Sequence, residues 1–249
     1  MFSYTKKMVS TNIGCSGFHY KHWKGSFYPE KLAQKNWFSY YCEHFNTLEL
    51  NVTFYRFPRV PTLQQWYRDS PSDFRFAVKA PRAITQFKKF LGTERMLYDF
   101  YKAVQDGLQE KCGCCLFQMP PNFQYSEDKL DRILNSLDPA LHNVMEFRHA
   151  SWWNNTVFEQ LSAHQISFCG MSHPSLPDDL VQTAPLFYYR FHGKEQLYAS
   201  AYRLDELQHF ADNMGKNSSI KQAYIYFNND INTHAVYNAR ELRTILSKF

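Results

Sequence analysis

Three pairs of polar residues stand two apart at the ends of apolar runs: Glu49 with Asn51, Glu146 with Arg148, and Arg190 with His192. Residues two apart in an extended chain share a face, so each pair presents its groups together. Lys79 and Gln118 close two more such runs, and another passes into Asn228, Asn229 and Asp230. The residue types suggest proton transfer on an anion. Arg148 and Arg190 are forks for a carboxylate or phosphate, and Lys79 adds a point charge. Glu49 or Glu146 serves as a general base if a neighbour or desolvation tunes its pKa, and His192 shuttles protons near neutral pH.

Two other readings use the same residues. Glu49, Glu146 and His192 form a conceivable ligand set for a divalent metal, disfavoured because Arg148 and Lys79 would bring positive charge beside the cation and no HExxH or DxD pattern ties ligands together. Alternatively the charges neutralise one another as a structural plug. Ser16 and Ser172 are nucleophile candidates by position alone. His19, His22, His149, His173, His209 and His234 read as surface or loop histidines. The six cysteines lack the spacing of a secreted disulfide framework or a CxxC zinc site, and a strand would place Cys114 and Cys115 on opposite faces. They read as reduced, mostly buried thiols.

The elements that must position these groups alternate β-rich runs with segments of helical period, the signature of repeated β/α units and a parallel sheet. Strands are expected at Asn12–Ser16, Thr47–Asn51, Phe74–Lys79, Gly113–Gln118, Asn143–Phe147, Ile166–Gly170, Phe187–Phe191 and Ala223–Phe227, enough to close a (β/α)8 TIM-type barrel. Helices are expected at Gln34–His44, Thr62–Arg68, Glu94–Gln109, Glu127–Ser136, Thr156–His164, Leu204–Met214 and Ala235–Ser247, with Ser126 and Asp205 as caps. The sixth unit is irregular, because Pro174 and Pro177 break its helical pattern. A doubly wound open sheet is the alternative, but GCSGF after the first strand lacks the third glycine of a dinucleotide fingerprint. The aromatic stretch Gly17–Asn36 is expected to pack over the barrel mouth as a wall of the site.

With 249 residues, 44% hydrophobic and 20% charged, and no linker or repeat, residues 1–249 read as one domain. A net charge of +5 favours anionic partners weakly. Met1–Ser10 holds Lys6 and Lys7 without an apolar core, and no stretch approaches the ~20 apolar residues of a membrane span, which points to a cytoplasmic protein with no membrane partner.

The segments GCSGFHYKHWKGSFYP, FNTLELNVTFYRFP, FRFAVKAPRAIT, LFQMPPNF, MEFRHASWW, YYRFHG and YFNND resemble, in order and spacing, the YecE-like family, domain of unknown function 72. The resemblance spans nearly the whole chain. It implies a TIM-type barrel and no particular reaction. Matching positions are Gly14, Ser16, Gly17, Tyr20, Trp23, Glu49, Asn51, Phe54, Tyr55, Lys79, Gln118, Glu146, Arg148, Trp152, Arg190, His192, Gly193, Asn228, Asn229 and Asp230. Three positions depart: Gln86 stands where a His is expected, Ala150 where a Pro is, and Thr233 where Gly is frequent. Gln86 matters most, since any imidazole chemistry at that position is absent here.

Glu49, Lys79, Glu146 and His192 are therefore the candidate catalytic residues. Ser16, Tyr20, Trp23, Asn51, Tyr55, Gln118, Arg148, Trp152, Arg190, Asn228, Asn229 and Asp230 are the candidate substrate-binding residues. Together they should surround a common cavity. The first expectation is an enzyme using acid–base chemistry on a phosphorylated or carboxylated small molecule. The alternative is a nucleic-acid binding or processing module in which cations hold phosphates while Tyr20, Trp23, Tyr55 or Trp152 stack on bases. Cofactor and oligomeric state stay open.

Overall fold

The computed structural model describes residues 9–248, so the reading of the first residues up to Met8 lies outside them. Eight strands form one parallel sheet: β1 (Ser10–Cys15), β2 (Thr47–Leu50), β3 (Arg75–Lys79), β4 (Cys112–Gln118), β5 (Asn143–Glu146), β6 (Ser167–Ser172), β7 (Leu186–Phe191) and β8 (Gln222–Phe227). The order runs β1-β8-β7-β6-β5-β4-β3-β2, a nearly closed TIM-type barrel. Around it lie α1 (Trp37–His44), the single turn α2 (Val52–Tyr55), α3 (Val60–Asp69), α4 (Glu94–Leu108), α5 (Glu127–Ser136), α6 (Asn155–Ala163), α7 (Leu204–Gly215) and α8 (His234–Leu246). Residues 173–185 carry no helix, as the two prolines require, and Thr183 pins that connection to β6 through Ile166 O at 2.6 Å.

Strand parity sorts the core. Ala77, Cys114, Leu116, Val144, Cys169, Tyr188, Tyr224 and Tyr226 fill the barrel interior, while Cys115, Phe117, Met145 and Phe168 face the helices. Cys114 and Cys115 thus do lie on opposite faces, and all six thiols are free. Two expected caps differ. Ser126 occupies the N-cap of α5 but makes no side-chain cap bond, and Asp205 falls within the first turn of α7, where Glu206 accepts the Arg203 N–H at 2.9 Å. Asn154 caps α6 instead, accepting from Val157 N at 3.0 Å.

The β1–β2 seam closes differently from the others. Among the described residues its one backbone bridge joins Ser16 to Glu49, with Gly17 N donating to Glu49 O at 3.0 Å. Lower down, the Tyr41 hydroxyl stands in for a backbone partner, accepting from Cys15 N at 2.8 Å and donating to Thr47 O at 3.0 Å. Gly14 permits this approach: a Cβ there would sit 2.4 Å from the Thr47 carbonyl oxygen and 2.8 Å from the Tyr41 hydroxyl. Gly14→Ala should therefore destabilise by ~1–3 kcal/mol through overpacking. A thermal unfolding midpoint equal to that of the parent would show that the seam has slack.

Candidate functional site

The inward positions at the carboxyl ends of the strands meet as a packed knot of charge. Arg190 donates from Nη2 to Glu49 Oε1 at 2.7 Å and to Ser16 Oγ at 3.0 Å, and from Nη1 to Glu146 Oε2 at 2.7 Å. Ser16 donates to Glu49 Oε1, and the Tyr188 hydroxyl to Glu49 Oε2 at 2.5 Å. Arg148 Nε donates to Glu146 Oε1 at 2.6 Å. Glu49, Glu146 and His192 are fully buried and Arg190 is 1% exposed, so the expected open cavity between these four residues is filled by their own side chains. Arg190 bridges the two carboxylates with one nitrogen on each, and the hydroxyls and Arg148 supply further donors, which offsets the desolvation of the buried charges.

Protonation follows from the same contacts. Burial alone would raise the Glu146 carboxyl, but Arg148 and Arg190 outweigh it and hold the group well below the usual carboxylate range. Burial and the same two guanidinium groups push His192 well below its ordinary value, so the ring is neutral. His192 Nε2 lies 3.0 Å from Arg148 Nη2 and 3.3 Å from Glu146 Oε1, so the ring sits against both members of that ion pair. On its other side the ring meets the Asn228 amide, whose Nδ2 donates to Nδ1 at 3.1 Å. Neither Glu146 nor His192 is placed to trade protons near neutral pH.

Lys79 is different. Its amine lies 4.4 Å over the Phe54 ring, and among the described residues no carboxylate stands within ion-pair distance of it. Burial first, then the charge of Arg190, lowers its pKa from 10.5 to about 7, despite the opposing pull of Glu146 and Glu49. Thr53 fixes the strand end by donating to Lys79 O at 2.6 Å. Around it the rim opens partly to solvent at Asn51, Gln118, Arg148 and Asn228, all half-buried. The Asn51 Oδ1 is buried without a partner. Gln86 borders the same rim, its amide donating to Gln118 O at 2.5 Å, so the position where the resemblance expects His does reach the site.

Other expected residues serve elsewhere. Trp23 and Trp152 have no exposed surface: Trp23 packs on Tyr20 and Phe27, and Trp152 stacks on Phe147 at 4.0 Å while donating to Phe123 O. Neither offers a face to a base or sugar. Tyr20 donates to Ser16 O at 2.6 Å and His22 reaches Asp230 O at 2.8 Å, so the aromatic stretch does wall the β1 and β8 rim. Asn229 ties Ser200 O to Asn238, Asp230 turns toward His22, and Ser172 accepts from Tyr202, none of them within the knot. Tyr55 points outward, 64% exposed. Missed were Tyr188, whose inward parity two residues before Arg190 was readable, and His173, whose ring lies 6.1 Å from His192 and carries no sequence signal. Among the described residues no group of three or more His, Cys, Asp or Glu side chains is arranged to hold a metal ion, and the donors of the metal reading are already engaged by Arg148 and Arg190. No helix there is long and apolar enough to cross a membrane.

A parallel eight-stranded barrel with its polar residues gathered at the strand ends is the architecture of TIM-type proteins. This chain belongs to the family described as protein of unknown function DUF72, whose model matches residues 12–248. It is 24% identical to the UPF0759 protein YunF of Bacillus subtilis over 89% of this chain and 90% of that one. The UPF0759 protein YecE of Escherichia coli is 27% identical over 48% of this chain and 44% of its own. Among solved structures, a DUF72 family protein of Thermotoga maritima superposes with a TM-score of 0.87 at 27% identity, covering 96% of this chain and 99% of that one. One from Enterococcus faecalis gives 0.82 at 19% identity, covering 95% of each, a likeness of fold.

Proposed function

We propose that the chain is an enzyme that uses Lys79 for proton transfer on an anionic small molecule, phosphorylated or carboxylated, bound at the rim of the barrel. The observation that carries this reading is an amine left without a carboxylate partner at the edge of a cluster in which the other charges are paired. Glu49 and Glu146 balance Arg190 and Arg148, so a charged Lys79 makes the centre net positive. A pKa near 7 suits an acid or base at physiological pH. Glu49 and Glu146 become the supports of that field, with Arg148, Gln118, Asn51 and Asn228 as the groups a ligand meets. His192 positions Arg148.

An anion at this rim would favour the ammonium form of Lys79, so binding and protonation are coupled. Titration calorimetry with 2-phosphoglycolate at pH 8, in buffers of different ionisation enthalpy, should show uptake approaching one proton per ligand. Lys79→Met should abolish that uptake. Binding without proton uptake, uptake that survives in Lys79→Met, or no binding of 2-phosphoglycolate or inorganic phosphate at millimolar concentration would refute the reading.

A further inference from the structure

The excess positive charge of the chain is concentrated in two segments. Residues 51–67 hold Arg56 and Arg59, and residues 80–92 hold Arg82, Lys88 and Lys89, with no Asp or Glu in either. These five cations equal the net charge of +5, and the rest of the chain balances. Both segments follow neighbouring strands, β2 and β3, so the barrel sets them side by side at its carboxyl face.

Aromatic side chains stand out between the cations. Tyr55 is 64%, Phe57 41% and Phe87 69% exposed. Arg82 joins the two segments, its guanidinium 5.5 Å from the Tyr55 ring and 5.4 Å from the Phe87 ring. A wide turn of π-helix, Ala83–Phe87, ends on the exposed Phe87, and Lys89 and Phe90 follow in left-handed conformations at φ 50° and 63°. The Phe90 ring is buried 5.7 Å from Phe117, which anchors that strained stretch against the core. On the other side a groove is lined by Thr53, Arg56, Phe57, Arg59 and Trp66. We propose that this shelf binds single-stranded nucleic acid, with phosphates on Arg56, Arg59, Lys88 and Lys89 and bases on Tyr55 and Phe87. Flat π faces interleaved with cations fit a flexible polyanion that carries its own flat rings. The guanidinium forks of Arg56 and Arg59 suit bidentate contact with discrete phosphate oxygens. The shelf adjoins the Lys79 site through Phe54 against Tyr55, ring centroids 5.2 Å apart, through Thr53 on the Lys79 carbonyl and through Gln86 at the rim, but Tyr55, Phe87 and the four phosphate-binding cations lie outside that site.

Fluorescence anisotropy with a labelled oligo-dT of twelve nucleotides tests the shelf. Three to five neutralised phosphates predict affinity falling by roughly 20- to 100-fold between 50 and 200 mM salt. The pair Tyr55→Ala and Phe87→Ala, both exposed and expected to fold, should weaken binding at least tenfold with the salt slope kept, through lost stacking. Arg56→Glu with Lys88→Glu should flatten the slope. No binding at 50 mM salt, or affinity indifferent to both pairs, overturns the proposal. So does a result in which vesicles containing phosphatidylserine bind and are released by these substitutions while the oligonucleotide does not bind. Oligonucleotide binding reads on Tyr55 and Phe87 and proton uptake on Lys79, so the two proposals fail separately.

Discussion

Arg190→Met will destabilise the protein by about 3–5 kcal/mol, the cost of stranding buried charge when one partner of a closed ion pair is removed. Glu146 keeps Arg148, but Glu49 is left with only the Ser16 and Tyr188 hydroxyls as donors in a site without solvent. It then escapes the cost by taking a proton. In the parent, Glu146 is held below its unfolded pKa, so its contribution is present above the unfolded value and is lost as pH falls on through the folded one. In Arg190→Met protonation relieves the stranded carboxylate, so the stability gap between variant and parent should narrow as pH drops from 8 to 5. Urea unfolding at those two pH values checks the sign. Adding Glu49→Gln to Arg190→Met should recover much of the loss. A single variant as stable as the parent at pH 8 would mean that the knot is not closed to water.

Lys79→Met should have the opposite effect, stabilising the fold while removing the proton coupling. In the unfolded chain Lys79 titrates near 10.5 and in the folded protein near 7. Between those values the unfolded state binds more protons, so stability rises with pH across that window, and below it the full penalty remains. The displacement corresponds to at most ~4–5 kcal/mol, and allowing for local relaxation the gain in Lys79→Met at pH 7 is expected to be roughly 2–4 kcal/mol. Met keeps the length and apolar body of the side chain against Phe54. Urea midpoints of the two proteins should diverge below pH 7 and converge toward pH 10. Equal stability at pH 7 would show that the amine is solvated.

The barrel was legible because a fully buried parallel strand must be a continuous apolar run, and each expected strand overlaps an observed one within about two residues at either end. Glu49, Glu146 and Arg190 were legible for the same reason: charge at an inward position of such a run demands a partner across the barrel. Their roles were not. Whether Glu146 is a base or a counter-ion depends on the distances to Arg148 and Arg190, which are contacts between strands far apart in sequence. Trp23 and Trp152 misled because an aromatic residue near a strand end reads alike whether it faces a ligand or the core. The concentration of cations beside Tyr55 and Phe87 was already in the sequence, but only the pairing of β2 with β3 brings the two segments together.

Because Ser16 and Glu49 form both the one backbone bridge across the β1–β2 seam among the described residues and part of the grip on Arg190, closing the ring completes the charged centre. Once formed, any breathing that parts the first two strands is felt at the carboxylate before it reaches the tyrosine-lined floor. A molecule lodged at the rim would then act as a clasp, tightening the whole ring from its weakest joint.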